Sequence, residues 1–440
     1  MMRQVQDYLP GAQERGRYMR MDTAQILKRF YFCERALIIA QAGWVAGIAP
    51  LEIKIELPRM FWEDALVADA LRTRVFELRY PSRLLEIAGD APAVNLFQAA
   101  QDAPNQTAFV LALARVFKPA LLNAYQSYLQ IADLIADGPT VHFLRGAVED
   151  KQRQIQQLEQ FAATLLNESS DAEVDAAHLW ANTLRRQMDT VGLGLDAPRK
   201  LPQDSVEKLR RPFRFAEVPA RDTRFAQVRY YWPNVVDSTF PYGDGMMLQL
   251  RSAVSHLNEV WAVETGGAIL YHFADKLDWE FILDAARWTY DEARHTQMGY
   301  ARLSEWGYQP ADLPLGTYIF DAARGQDPIV RLGMLHYFET KNIGKKHERA
   351  AAFASYQDSV SQHDMEFDWA DETIHAHYGS KWLAVLREKY PDLPTREELH
   401  QRCDELVEQV VAEATDADRT AIYQVTEAMI AKANRLLALA

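Results

Sequence analysis

Cysteine is scarce: Cys33 and Cys403 are the only two among 440 residues. A chain this long can bury a large core without a disulfide framework, so a reducing compartment is expected. Strand signals are almost as rare. "LEIKIEL" at 51–57 alternates apolar and charged residues, and "FAQVRYYW" at 225–232 is a weaker candidate. Positive charge is in deficit. The formal net charge of −13 argues against a broad surface for nucleic acid or anionic membrane. Near the N-terminus long hydrophobic runs are missing too. "ALIIAQAGWVAGIAPL" is too short, and too broken by Gly and Pro, to span a bilayer. The opening "MMRQVQDYLPGAQERGRYMR" lacks the apolar stretch of a signal peptide. A cytoplasmic protein with no nucleic-acid or membrane partner is the expectation.

Helical periodicity is what the chain has in plenty. Helices are predicted near 22–46, 59–88, 106–136, 139–168, 174–192, 248–276, 278–306, 328–358 and 360–389, with one or two more over 395–437. "GYQPADLPLG", "GQDP" and "YPDLP" separate the later ones. Residues 193–245, rich in Pro, Gly and Arg, read as a connector. The organisation expected is an N-terminal helical domain over 1–170 and a helix with connector over 171–247. A four-helix domain over 248–390 and terminal helices over 391–440 complete it. The terminal helices serve packing or homodimer formation.

Four helices between 248 and 389 each carry an apolar stripe interrupted by acid or histidine. The stripes are Leu257–Trp261–Glu264–Ala268, Ala285–Trp288–Glu292–His295, Leu332–Leu335–His336–Glu339 and Met365–Trp369–Glu372–His375. An ionised carboxylate on such a stripe costs several kcal/mol without a partner. Four of them converging would repel one another, and two divalent metal ions would compensate. Glu and His three apart share a helix face and can reach one ion. "YDEARHTQMGY" and "ADETIHAHYGSKW" both write Asp-Glu-x-x-His, at 291–295 and 371–375. Glu264 precedes Glu292 by 28 residues, and Glu339 precedes Glu372 by 33, each the length of a helical hairpin. The candidate metal ligands, and hence catalytic residues, are therefore Glu264, Glu292, His295, Glu339, Glu372 and His375. This is the ligand pattern of a carboxylate-bridged di-metal bundle. Glu259, 33 residues before Glu292, is the rival to Glu264, which is preferred for its apolar neighbours.

With these motifs the chain resembles the ferritin-like di-iron carboxylate superfamily over roughly residues 250–390. The resemblance implies an all-α, ferritin-like four-helix bundle with a dinuclear site, and an extra N-terminal helical bundle beside it. It implies that Asp291 and Asp371 each accept a hydrogen bond from a metal-bound histidine. Some N-oxygenases of the superfamily add a ligand, for which Asp368 and His336 are placed. A radical tyrosine stands four residues after the first motif histidine in the reductase members, and Gly299 holds that position here. The N-terminal half offers Glu34, Glu149, Asp150 and Arg153 on comparable helices. It reads as a degenerate copy in which Arg153 neutralises the leftover acids.

The function expected is a non-haem di-iron oxygenase or oxidase that activates O2 and oxidises a small organic substrate. Two Fe ions are the cofactor, with Mn/Fe as the alternative pair. No cysteine cluster or dinucleotide fingerprint is present, so electrons would come from a separate donor. A ferroxidase or other iron-binding protein, and a metal-free helical scaffold, are the competing readings.

Overall fold

The computed structural model describes residues 18–82, 84–196 and 212–439. The start of the stretch read for a signal peptide, and residues 197–211 of the connector, lie outside them. The described residues are helical almost throughout, with a single pair of two-residue strands, so the fold is all-α. Two compact units divide the chain: residues 1–36 with 66–211, and residues 37–65 with 212–440. This differs from the boundaries expected from sequence. Residues 37–65 group with the C-terminal half because α1 (Arg20–Trp44) and α2 (Leu51–Glu77) each run through both units.

The first unit takes the front of α1, the rear of α2, α3 (Ala91–Gln98), α4 (Gln106–Ala112), α5 (Lys118–Ile131), α6 (Gly138–Glu168) and α7 (Asp171–Val191). A π-turn, Leu113–Phe117, joins α4 to α5. The Asn105 side chain caps α4 by accepting from the Ala108 amide at 2.8 Å, and a Ser170–Glu173 capping box starts α7. Residues 106–131 are long and apolar enough to cross a membrane by composition, yet 72% of their apolar window is buried inside the fold. Together with their packing on α6 and α7, this marks a core helix.

In the second unit, α8 (Met246–Leu257) and α9 (Val260–Phe273) pack on α10 (Trp279–Glu305). Helix α10 packs on α13 (Ser359–Lys389), α13 on α12 (Pro328–Ser355), and α12 back on α9. Four helical segments thus close a ring. The short α11 (Tyr318–Ala322), α14 (Arg396–Ala412) and α15 (Asp416–Leu439) complete the unit, with α14 lying on α11 and α12. Strands β1 (Ala226–Gln227) and β2 (Pro314–Leu315) pair in parallel. The cysteines are both buried free thiols.

Two expectations are corrected here. "LEIKIEL" is the start of α2, because Ile53, Lys54 and Leu57 are all buried, a helical spacing that a strand cannot bury on one face. The predicted 248–276 helix is two helices, broken at Asn258–Glu259.

Close backbone approach explains Gly299. A Cβ there would lie 2.3 Å from the Leu257 amide nitrogen and 2.5 Å from the Ala253 carbonyl oxygen. Backbone cannot yield as a side-chain tip can, so no side chain fits where α10 crosses α8. Gly299→Ala is expected to cost about 3 kcal/mol or more, the upper range for overpacking. A lower unfolding midpoint in denaturant would register it, and an unchanged midpoint would contradict the packing. Gly266 is held in the same way, since a Cβ there would meet Thr289 Oγ1 at 2.5 Å. These glycines serve helix packing.

Candidate metal centre

The break between α8 and α9 is built by Asn258. Its Nδ2 donates to the carbonyls of Val254 and Pro314 at 2.8 and 3.0 Å, and its Oδ1 accepts from the Gly316 amide at 2.7 Å. Glu259 sits on this break and turns its carboxylate inward. Helix α10 presents Glu292 and His295 one turn apart. Helix α12 presents Glu339 and, two turns on, Lys346, and α13 presents Asp368, Glu372 and His375.

These groups meet in the centre of the ring. His375 Nδ1 lies 3.0 Å from Glu292 Oε1, 3.5 Å from Glu339 Oε2 and 3.8 Å from Glu372 Oε2. His295 Nδ1 lies 3.2 Å from Glu259 Oε2, 3.5 Å from Asp368 Oδ1 and 3.7 Å from Glu292 Oε2. Glu292 faces both imidazoles and so stands between two sets of donors. Trp288 Nε1 donates to Glu339 at 3.0 Å.

The outer nitrogens are held by the aspartates in a crossed arrangement. His375 Nε2 donates to Asp291 at 3.4 Å, and His295 Nε2 donates to Asp371 at 3.3 Å. Each motif's aspartate therefore steadies the other motif's histidine. Arg294 reaches both aspartates, at 2.5 and 2.9 Å, and Arg287 joins Asp291 at 2.7 Å. With Nε2 committed as a donor, each imidazole turns Nδ1 toward the carboxylates.

A third histidine is fixed by elimination. Arg302 Nη2 lies 2.5 Å from His256 Nδ1, and a guanidinium can only donate. His256 Nε2 therefore carries the proton and donates to Asp368 at 3.0 Å. Lys346 Nζ bonds Asp368 Oδ1 at 2.5 Å and Glu372 Oε1 at 2.6 Å. Helical spacing reaches Glu259 only as the rival to Glu264, sets His256 aside as lying off the metal face, and misses Lys346 altogether.

The electrostatics follow from burial and crowding. Burial, then the Glu292 and Glu372 carboxylates, push Glu339 well above the usual carboxylate range. Burial pushes Glu372 up to about 7, with Lys346 pulling down against the charges of Glu292 and Asp368. Burial alone would raise Glu292, but its two imidazole neighbours hold it below its ordinary value. Burial alone would lower His295 and His375, yet the surrounding carboxylates hold both well above theirs.

Five buried polar atoms in this cluster have no hydrogen-bond partner: His295 Nδ1, His375 Nδ1, Glu292 Oε1, Glu372 Oε2 and Glu259 Oε2. Buried polar atoms are nearly always satisfied. Four three-residue groups drawn from His256, Glu259, Glu292, His295, Asp368, Glu372 and His375 bring one ligand atom each within 4.8 Å of one another. Ligands about 2.0–2.2 Å from one ion must lie within roughly 4.4 Å of each other, so the donor set fits metal ions with small adjustments.

Two expected ligands stand elsewhere. Glu264 is fully buried but ion-paired with Lys54 and Arg221, whose Nη2 lies 3.0 Å from Oε2. The helix break rotates it out of the cluster and puts Glu259 in its place. His336 stacks over Gly379, and its nitrogens face His400 Nε2 at 3.1 Å and Ser380 Oγ at 3.2 Å. Burial, then the charges of His400 and Arg396, push its pKa down to about 4. Trp369, expected on the fourth stripe, is 40% exposed. In the first unit, Lys151 pairs with buried Glu34 at 2.7 Å, while Arg153 pairs at the surface with Asp150. Lys151 is therefore a counter-charge for Glu34.

A cavity of about 350 Å³ is lined by Glu259, Glu292, Glu339 and Glu372 together with tyrosines and basic residues. The fold and this site define an all-α protein with a buried carboxylate–histidine cluster opening on a small pocket. The chain belongs to DUF455, a family of proteins of unknown function, whose model matches residues 200–419, half of the sequence. No curated protein and no solved structure matches it.

Proposed function

We propose that the protein is a non-haem di-iron oxygenase or oxidase of ferritin-like architecture, acting on a small organic substrate. The observation that carries this reading is the convergence, beside a cavity, of five buried nitrogen and oxygen atoms that make no hydrogen bond. His295, Glu259 and Asp368 would hold one ion, His375 and Glu339 the other, with Glu292 and Glu372 between them. Two iron ions bound there would supply the electrons and the Lewis acidity for O2-dependent oxidation. The protein's own part is to orient both imidazoles through Asp291 and Asp371, to gather the carboxylates around them, and to seat the substrate in the cavity. A metal-free scaffold is the second reading, favoured by Lys346, which already compensates Asp368 and Glu372.

Anaerobic loading with Fe(II), followed by metal analysis and rapid mixing with O2, separates the two. About two ions per chain are expected. Less than about a tenth of an ion per chain would remove the enzyme reading. Glu339 and Glu372, raised by burial, and the two cationic imidazoles carry protons that metal ions must displace. Uptake should therefore release protons and strengthen as pH rises. An indicator-dye titration with Zn(II) checks this, and zero release would contradict it.

The crossed aspartates give a milder test. Asp291→Asn and Asp371→Asn keep every proposed ligand but remove the charge behind one imidazole each. Metal affinity should fall by roughly 10–100-fold in either variant, read by competition with a chelator.

A further inference from the structure

Arg251, on α8 two helical turns before Glu259, lines the same cavity as the carboxylate cluster. Its side chain is more than nine-tenths buried, and its guanidinium lies 5.2 Å from the Tyr231 ring centre and 5.3 Å from that of Tyr242. Nε donates to Asn234 Oδ1 at 3.3 Å, but Nη1 is buried with no partner. Among the described residues no carboxylate pairs with it. A buried cation without a counter-ion is costly, and two aromatic faces offset only part of that cost. Lys345 and Arg349 line the same cavity, adding positive charge. Every acid on its wall belongs to the metal cluster: Glu259, Glu292, Glu339 and Glu372. About 350 Å³ is at the small end of ligand pockets, which run roughly 300–1,000 Å³.

From this we infer that the substrate is a small organic carboxylate whose anionic end pairs with Arg251. Its apolar body lies along Tyr318, Trp261 and Phe338 toward the carboxylate–histidine cluster. The inference rests on the proposed function for what happens at the cluster, but the anion site stands on Arg251 alone. The guanidinium satisfies the carboxylate, the carboxylate supplies the missing counter-charge, and together they fix which end of the substrate faces the cluster.

Calorimetric titrations of the full-length chain, with Zn(II) and with chelator, test it using benzoate, its neutral analogue benzamide, hexanoate and inorganic phosphate. Saturable carboxylate binding is expected, with benzamide about tenfold or more weaker, and a similar loss of benzoate affinity in Arg251→Gln. Equal affinity for benzoate and benzamide in the wild-type chain overturns the inference, and that comparison decides alone if Arg251→Gln does not fold. Benzoate affinity unmoved in a folded Arg251→Gln overturns it as well. So does a preference for phosphate, or no saturable carboxylate binding up to about 10 mM. Failure of the metal reading shows separately, as absent bound metal, while Arg251-dependent binding is read with chelator.

Discussion

Glu292→Ala is expected to leave a folded chain that no longer retains stoichiometric metal. Glu292 is the one carboxylate that faces both cluster imidazoles, 3.0 Å from His375 Nδ1 and 3.7 Å from His295 Nδ1. It belongs to two of the four groups whose ligand atoms come together. Metal sites of about four ligands are worth about 10–16 kcal/mol, so one ligand carries about 3 kcal/mol, or a hundredfold in affinity. A carboxylate shared by two ions would lose that at both positions at once. The loss should also appear in stability. A metal present at about 1,000 times its dissociation constant stabilises the native state by about 4 kcal/mol. Wild-type chain should therefore melt at a higher temperature with Zn(II) than with chelator, and Glu292→Ala should melt alike in both. Full metal content in the variant would remove Glu292 from the site. Glu259→Gln should weaken metal binding in the same direction, through His295 and its neighbours alone.

Much of this centre is legible in the sequence because helices are regular. Three-residue spacing alone puts Glu292 with His295, and Glu372 with His375. Similar hairpin lengths then bring Glu339 to the same level. The aspartates are also legible, though which histidine each holds is not. Crossing between helices is a tertiary fact, and no spacing within one helix encodes it. Lys346 lies out of reach for a similar reason. It is two turns past Glu339 on the same face, yet a lysine on a helix ordinarily turns its ammonium to water. Only the surplus of carboxylates in the finished ring draws it in. Arg251 is another case, since a basic residue in a sequence does not announce that it lacks a partner.

Glu264 shows where regularity misleads. Placing it on the inward face assumes one straight helix over 248–276. Asn258 breaks that helix by giving its side chain to the Val254 and Pro314 carbonyls and the Gly316 amide. The competing clue is spacing: Glu259 precedes Glu292 by 33 residues, the same interval as Glu339 to Glu372. The 51–57 stretch misleads in a linked way. Its alternation suggests a strand, when Lys54 is a buried cation on α2 that meets Glu264. The two misleading signals are thus the two halves of one ion pair.

That pair supports a second large expected effect, opposite in kind to the first. Glu264→Ala should cost about 3–5 kcal/mol of stability, the usual loss when one partner of a buried ion pair is removed. Lys54 and Arg221 would be left buried beside each other with no shared anion. Burial already pulls the Lys54 ammonium down to about 8, with Glu264 pulling the other way. Without that carboxylate its proton should be held still less tightly. The triple variant Lys54→Met, Arg221→Met and Glu264→Met removes all three charges and replaces them with apolar volume. It should recover much of the loss, because a buried ion pair or triad exchanged for packed hydrophobic groups is often neutral. Metal content is the deciding measurement. Folded Glu264→Ala should bind as much metal as the wild-type chain, since its carboxylate is spent on Lys54 and Arg221. Loss of metal at intact stability would return Glu264 to the ligand set, and retention at reduced stability assigns it to holding α2 and α9 together.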